Sequence, residues 1–317
     1  MTTIAGPAPR PQDLVGSGVD TVWAPDEADQ APRTSPRQLA WRRFRRNRVA
    51  MVAVGLLVVL ALIAIFAPIV APYDPLVPVT PAAYGKPPSL EHLFGTDNSG
   101  RDELSRIIFG SRVSLSVGIV AVSIYLTIGI LLGAISGYRR GLVDATIMRI
   151  TDTVMSFPPL IIILAIIPIL GPSIFNIMLV IGLLNWPAVA RLVRGEFLSL
   201  REREFTLAAR GIGASDARII FRHILPNVAG PLVVVASFGV ADAIITEAGL
   251  SLLGLGVQPP DASWGNMLSA ATDVGTLALK PWLWIAPGMM IAAAVLSINF
   301  IGDGLRDALD PRGSLRR

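Results

Sequence analysis

The stretch VAMVAVGLLVVLALIAIFAPIVA, residues 49–71, contains no charged or polar side chain. The hydrocarbon core of a bilayer is ~30 Å thick, and a helix needs ~20 apolar residues to cross it. In hydrocarbon every backbone N–H and C=O must find its partner within the protein, so spanning segments are helices or closed barrels. Runs of similar character recur at Val113–Tyr138, Thr153–Pro172, Ser173–Ala190, Pro226–Gly249 and Pro281–Gly302. The expectation is an all-α polytopic membrane protein with six transmembrane helices. Two runs are interrupted. The third carries Pro158, Pro159 and Pro168, and the fifth carries Asp242 and Glu247. The apolar core of a cleavable signal peptide is ~7–15 residues and lies near the start. The run at Val49 is longer and follows an Arg-rich tail, so it reads as a retained helix.

Composition agrees. Of 317 residues, 52% are hydrophobic and 16% are charged, and the mean hydropathy is +0.60. Soluble domains are about 45–50% apolar and ~25% charged. With no cysteine there are no disulfides, thiolate metal sites or cysteine nucleophiles. His92 and His223 are the two histidines, too few for a histidine-based metal cage.

Orientation follows from the 27 basic residues. With the N-terminus inside, only Lys86, Arg101, Arg106, Arg112 and Lys280 fall in outer segments. The rest hold cytoplasmic segments, which is the positive-inside pattern and gives N-in, C-in topology. It also accounts for the pI near 9.9 through membrane lipid on the anionic cytoplasmic face, without nucleic acid.

Residues 1–36 are rich in Pro, Ala, Gly, Asp and Thr and read as a disordered cytoplasmic tail. A unit 37–112 follows: a basic juxtamembrane helix over 37–48 with interleaved Leu39, Trp41 and Phe44, the first span, and an outer loop. Leu104, Ile107, Ile108 and Ser111 recur at helical spacing, which predicts a short interfacial helix before the second span. In that span Gly129, Gly133 and Gly137 are four residues apart, a spacing that lets helices approach closely. Packing within the chain is the general use of this spacing, and a subunit interface is the sharper alternative. Pro158 and Pro159 predict a kink, so the third span packs centrally or lines a path.

The cytoplasmic loop 191–225 is the most informative segment. From Arg191 to Asn227 it reads RLVRGEFLSLREREFTLAARGIGASDARIIFRHILPN. A helix over Thr206–Arg210 is interrupted by Gly211 and Gly213. Ser215 then caps a second helix, and Asp216 suits its first turn. Ile219, Ile220 and Ile224 form an apolar stripe, with Arg218 and Arg222 on a more polar face. Pro226 is expected to end the cytoplasmic segment. Such a compact knuckle suits docking into a cleft of another protein.

Here the residues match a family. Ala208-Ala209, then Gly213, then Leu225-Pro226 resembles the "EAA" loop of permease subunits of binding-protein-dependent ABC importers. The chain has Leu207 where that motif usually has Glu, and His223 where it usually has an apolar residue. Three further stretches, HLFGTDNSGRDELSRIIFGSR (92–112), EAGLSLLGLGVQPPDASWGNML (247–268) and GDGLRDALDPR (302–312), narrow the resemblance. It is to the C-type permease of the dipeptide, oligopeptide and nickel group. The likeness runs from about Arg37 to Arg312.

The resemblance implies a type I importer transmembrane domain. Its core would run over 113–303, the first span would wrap around the outside, and 304–317 would be a cytoplasmic tail. It implies a sister permease, two ATP-binding subunits that carry ATP and Mg, and an extracytoplasmic substrate-binding protein. Leu207, Ala208, Ala209, Gly211, Gly213, Ala214, Ser215, Asp216, Arg218, Leu225 and Pro226 would then contact an ATPase. Substrates of such permeases include peptides, nickel chelates and glutathione, and peptides are the default.

The residues support that division of labour. A P-loop needs G-x-x-x-x-G-K-[ST], but Lys86 and Lys280 are each followed by proline. No catalytic constellation or cofactor is expected on this chain. Charged residues within spans face an interior or a cavity. Asp242 is therefore a candidate for the translocation path, together with Pro158 and Pro159. Glu247 is a second candidate, but its place near the outer end favours a cap at the surface. Asp144, Arg149 and Asp152 are expected to pair locally. Gly95–Asp102 is an outer polar turn that either touches the binding protein or braces its loop. A stand-alone secondary transporter or channel would instead use the intramembrane acids for coupling ions. It would leave the knuckle without a role.

Overall fold

A computed structural model describes residues 36–79 and 84–310. The tail expectation for 1–35 and the segment 311–317 lie outside the described residues. The chain divides into Met1–Leu39 and Ala40–Arg317. Of the first unit only the opening turn of α1 is described.

Helix α1 runs Pro36–Arg46 and α2 runs Arg48–Ile65. They part at Asn47, whose side chain accepts from the Ala50 amide at 3.1 Å and so starts the second helix. Within α1, Phe44 is buried and Trp41 exposed. The short α3, Ala67–Val70, follows with proline in its first turn.

Helix α4 runs unbroken from Glu103 to Arg139. The predicted interfacial helix at Leu104–Ser111 is therefore its first turns, not a separate element. The Asp102 side chain caps it by accepting from the Ser105 amide at 2.8 Å, and no proline interrupts it.

The third expected span is broken. Helices α5, Gly141–Met155, and α6, Pro159–Leu170, meet at 80°. The missing N–H groups of Pro158 and Pro159 stop one helix, and Pro159 then opens the next, where a proline is tolerated. The 12 residues of α6 reach about 18 Å at ~1.5 Å each, short of a full crossing. Among the described residues five helices are long and apolar enough alone, and six spans result only if this pair counts as one.

Helix α7, Ile174–Leu200, continues past the predicted end at Ala190 and absorbs the start of the loop. Helix α8 is Glu204–Gly211 and α9 is Asp216–Arg218. A π-helical segment, Ile219–Ile224, joins α9 to α10, Leu225–Leu252. Pro226 does not end the segment as expected. It lies in the first turn of α10, where its missing N–H is accommodated, inside one continuous helical stretch from Asp216 to Leu252.

On the outer side α11, Trp264–Leu268, and α12, Val274–Leu279, are short. Asp273 caps α12, and the Thr276 amide it accepts from holds its carboxyl below the usual carboxylate range. Helix α13, Trp282–Leu309, extends beyond Gly302. The expected C-terminal tail from 304 is therefore helical to Leu309.

The core is organised around α4, which packs most extensively against α7, while α10 packs against α13 and α4. Gly129, Gly133 and Gly137 lie on the α7 side. A Cβ added to them would come within 2.5 Å of the Val189 Cβ, 2.5 Å of the Ala190 carbonyl oxygen and 2.6 Å of the Phe197 Cβ respectively. The stripe thus meets a helix of the same chain.

The outer loops are tied together. Asp97 accepts from the Ser99 and Arg101 amides at 2.8 and 2.9 Å and from Arg101 Nε at 2.7 Å. The guanidiniums of Arg101 and Arg106 donate to the Pro260 carbonyl at 3.4 and 3.3 Å. His92 and Asp102 form a buried pair at 3.0 Å. The polar turn Gly95–Asp102 therefore braces the second outer loop. Trp264 is fully buried, and its indole donates to the Ile107 carbonyl at 3.1 Å.

Candidate functional site

The spacing of Ala209 and Gly213 has a direct physical reading. The Ala214 amide donates to the Ala209 carbonyl at 3.1 Å, and the Gly213 amide to the Arg210 carbonyl at 3.0 Å. This is the two-bond Schellman termination, in which the residue after the cap takes a left-handed conformation. Gly213 occupies that position with φ +81°. Two residues on, Ser215 caps the next helix by accepting from the Arg218 amide at 3.4 Å. A helix stop and a helix start thus fall within four residues, which sharply turns the chain.

The apolar stripe does not face outward. Ile219 and Ile224 are fully buried and join the chain's own core with Ala209, Val193 and Phe197. Their job is to seat the knuckle, not to dock it. What the knuckle presents is a different set: Ile212 is 88% exposed, Phe221 63% and Leu207 51%. Ala208, Gly211, Gly213, Ser215, Asp216, Arg218 and Pro226 are also exposed, while Ala214 and Leu225 are half-buried. A groove of about 390 Å³ runs beside Ile212, Gly213, Arg218 and Arg222. Ile212 and Phe221 were not legible as surface anchors, because helical spacing alone did not show which face the preceding turn would expose.

The knuckle is anchored to the membrane helices. Tyr138, near the end of α4, donates its hydroxyl to Asp216. Arg201 donates to the Tyr138 carbonyl and lies over its ring at 5.8 Å. Asp144 and Asp152 do not pair locally with Arg149 as expected. Asp144 receives two bonds from Arg194, at 2.6 and 2.7 Å, and one from Ser136. Asp152 receives one from Arg191 at 2.6 Å. The reason is the inward extension of α7, which carries both arginines past α5. Such a two-pronged arginine–carboxylate pair is among the stronger polar contacts. Arg194→Ala is expected to destabilise the purified chain by about 2 kcal/mol. A thermal-unfolding double-mutant cycle with Asp144→Ala should show that coupling, and independent effects would refute it.

The two intramembrane acids differ. Asp242 is exposed in this chain and borders a cleft of about 230 Å³ with Tyr125, Asn185 and Phe238. Glu247 is fully buried and does not cap the span at the surface. It accepts from Ser251 at 2.7 Å, Ser263 at 2.8 Å and Ser114 at 3.4 Å. Three hydroxyls from α4, α10 and the outer loop thus converge on one carboxyl, which removes it from any open path. Pro158 and Pro159 are exposed at the α5–α6 bend. Among the described residues no group of acids and histidines is placed to hold a metal ion.

Residues 129–314 match the family described as the binding-protein-dependent transport system inner membrane component. The chain belongs to this family. Residues 35–88 also match the N-terminal TM domain of oligopeptide transport permease C, which covers α1, α2 and the start of the outer loop.

A chain of Brucella suis biovar 1 is 46% identical over 282 residues, covering 89% of this chain and 93% of its own. The dipeptide transport system permease protein of Alkalihalophilus pseudofirmus is 43% identical, covering 91% and 94%. The glutathione transport system permease protein of Escherichia coli is also 43% identical, covering 86% and 89%. In fold the chain is similar to one from the MetNI methionine ABC transporter in inward facing conformations. The TM-score is 0.52 at 20% identity, covering 65% of this chain and 96% of that one. The permease is thus a multi-pass inner-membrane protein with the type I importer transmembrane fold.

Proposed function

We propose that this permease forms half of the translocation path of an ATP-driven importer of short peptides, and that its knuckle couples the path to a partner ATPase. The observation that carries the reading is the exposed turn at Gly213, flanked by Leu207, Ile212 and Phe221 and seated on buried isoleucines. Three large apolar side chains left exposed on one short polar cytoplasmic segment call for a covering partner. The relatives named for dipeptide and glutathione transport support a peptide substrate, glutathione being itself a short peptide.

In this reading ATP and Mg are held by two ATP-binding subunits, and a sister permease supplies the other wall of the path. A substrate-loaded binding protein engages the outer loops. Closure of the ATPase pair pulls the knuckles together, and the rigid anchors at Tyr138–Asp216 and Arg194–Asp144 pass that motion to α4, α5 and α7. A nucleotide acts here by biasing a two-state element.

Asp242 is the acid of the path. Its exposed carboxylate within a span needs a polar cavity or a cationic partner, and the protonated amino terminus of a peptide is one. Asp242→Asn is expected to lower dipeptide uptake into proteoliposomes about tenfold while leaving ATP hydrolysis stimulated by loaded binding protein. Unchanged uptake would remove Asp242 from the path. The whole reading is tested by purifying the chain from its native membrane. Co-purification of an ATPase and a second permease, with hydrolysis stimulated by peptide-loaded binding protein, is the expected result. A chain that runs alone and moves peptide without ATP would refute it.

A further inference from the structure

We infer that the cytoplasmic half of the α2–α13 seam is a binding site for one anionic phospholipid. The two helices touch where an added Cβ at Gly304 would come within 2.6 Å of the Ala50 Cβ. Alongside lies a groove of about 410 Å³. Its walls are Val49, Val52, Leu56, Leu296 and Phe300, all exposed large apolar side chains. Its floor is made of the small, buried Ala53 and Ser297. The Ser297 hydroxyl donates to the Ala293 carbonyl at 2.6 Å, so the floor offers no free polar group.

A slot of this kind, at membrane depth, is filled by an acyl chain or by another apolar body. The charge at its cytoplasmic mouth decides for a phospholipid with a net negative headgroup. Arg48 lines the groove and is exposed. Among the described residues it forms no ion pair. Arg45 and Arg46, also exposed, close α1 immediately before it. Asp303 and Asp307 lie one and two turns beyond Phe300 on α13 and pair with none of these arginines. An arginine at the membrane surface whose stem lies along apolar side chains holds its head at the phosphate level. One phosphate opposite Arg48 and one chain between Val52 and Leu296 satisfy the whole site.

The test uses the purified transporter assembly and two probes, dioleoylphosphatidylglycerol and dioleoylphosphatidylcholine. Native mass spectrometry should show preferential retention of phosphatidylglycerol. Arg48→Gln should weaken it about fivefold, with phosphatidylcholine unchanged and Arg48→Lys close to the parent. Ala53→Phe should reduce both lipids by filling the floor. The chain has no cysteine, so Val52→Cys carries a single benzophenone label, which in native membranes should join lipid. A crosslink to a protein subunit would overturn the proposal, as would equal retention of both lipids insensitive to Arg48→Gln.

Discussion

Replacing Gly213 with valine is expected to abolish substrate-stimulated ATP hydrolysis by the assembled transporter, while the chain still inserts and packs. Gly213 has φ +81°, and an added Cβ would meet nothing within 4 Å. The effect is therefore conformational, not steric. A non-glycine residue held in this region costs on the order of 1–3 kcal/mol, and a β-branched one fits it worst. At ~1.4 kcal/mol per factor of ten, the turn as seen here becomes roughly ten- to hundredfold less populated. The Schellman bonds from Gly213 and Ala214 are lost with it, so Ile212 leaves its exposed position and α9 loses its fixed start. Gly211 supplies the control. It too has open space around it, but it is the last residue of α8 and has no positive φ. Gly211→Ala should therefore keep or slightly raise stability and leave coupling intact. Measuring nucleotide hydrolysis and uptake for both variants in nanodiscs separates them. Equal activity of the two would show that the turn's geometry is not what the ATPase reads.

The contrast between these two glycines illustrates what the sequence made legible. Both interrupt the same helical pattern, and spacing alone treats them alike. Only the backbone shows that one ends a helix in the left-handed region and the other continues it. Element type was readable wherever the apolar runs were long and uncharged, because lipid leaves the backbone so few alternatives. Element ends were less readable. Helices α7 and α13 run on past their apolar windows, since nothing in Arg191–Leu200 or Asp303–Leu309 stops a helix once it leaves the bilayer. Pro226 misled for a related reason. A proline breaks a helix interior but fits its first turn, and the π segment before it resets where that first turn begins. The Ile219, Ile220 and Ile224 stripe was visible as periodicity, yet periodicity does not say what a stripe faces. Long-range pairs such as Arg194–Asp144 and the serine cluster on Glu247 join residues far apart in the chain, and no local pattern encodes them.

Gly133→Leu is expected to have the largest effect on stability, and it separates two uses of the glycine stripe. The added Cβ would lie 2.5 Å from the Ala190 carbonyl oxygen, 2.7 Å from the Val193 Cβ and 3.1 Å from the Ala190 Cα. Two of these three are backbone atoms, which cannot rotate away. Helices α4 and α7 must then separate along their whole contact, because Gly129 and Gly137 hold the adjoining turns equally close. Overpacking a core costs about 1–3 kcal/mol, occasionally more, and a backbone clash in the principal helix pair belongs at the upper end. The isolated chain in detergent should therefore unfold at a markedly lower temperature and accumulate poorly in the membrane. Gly55 in α2 meets nothing within 4 Å, so Gly55→Leu should leave both readouts unchanged. If the stripe instead served contact with another subunit, Gly133→Leu would spare the isolated chain and remove only the co-purifying permease. Loss of the isolated chain's own stability is the result that the α4–α7 geometry requires, because the contact lies wholly within one polypeptide.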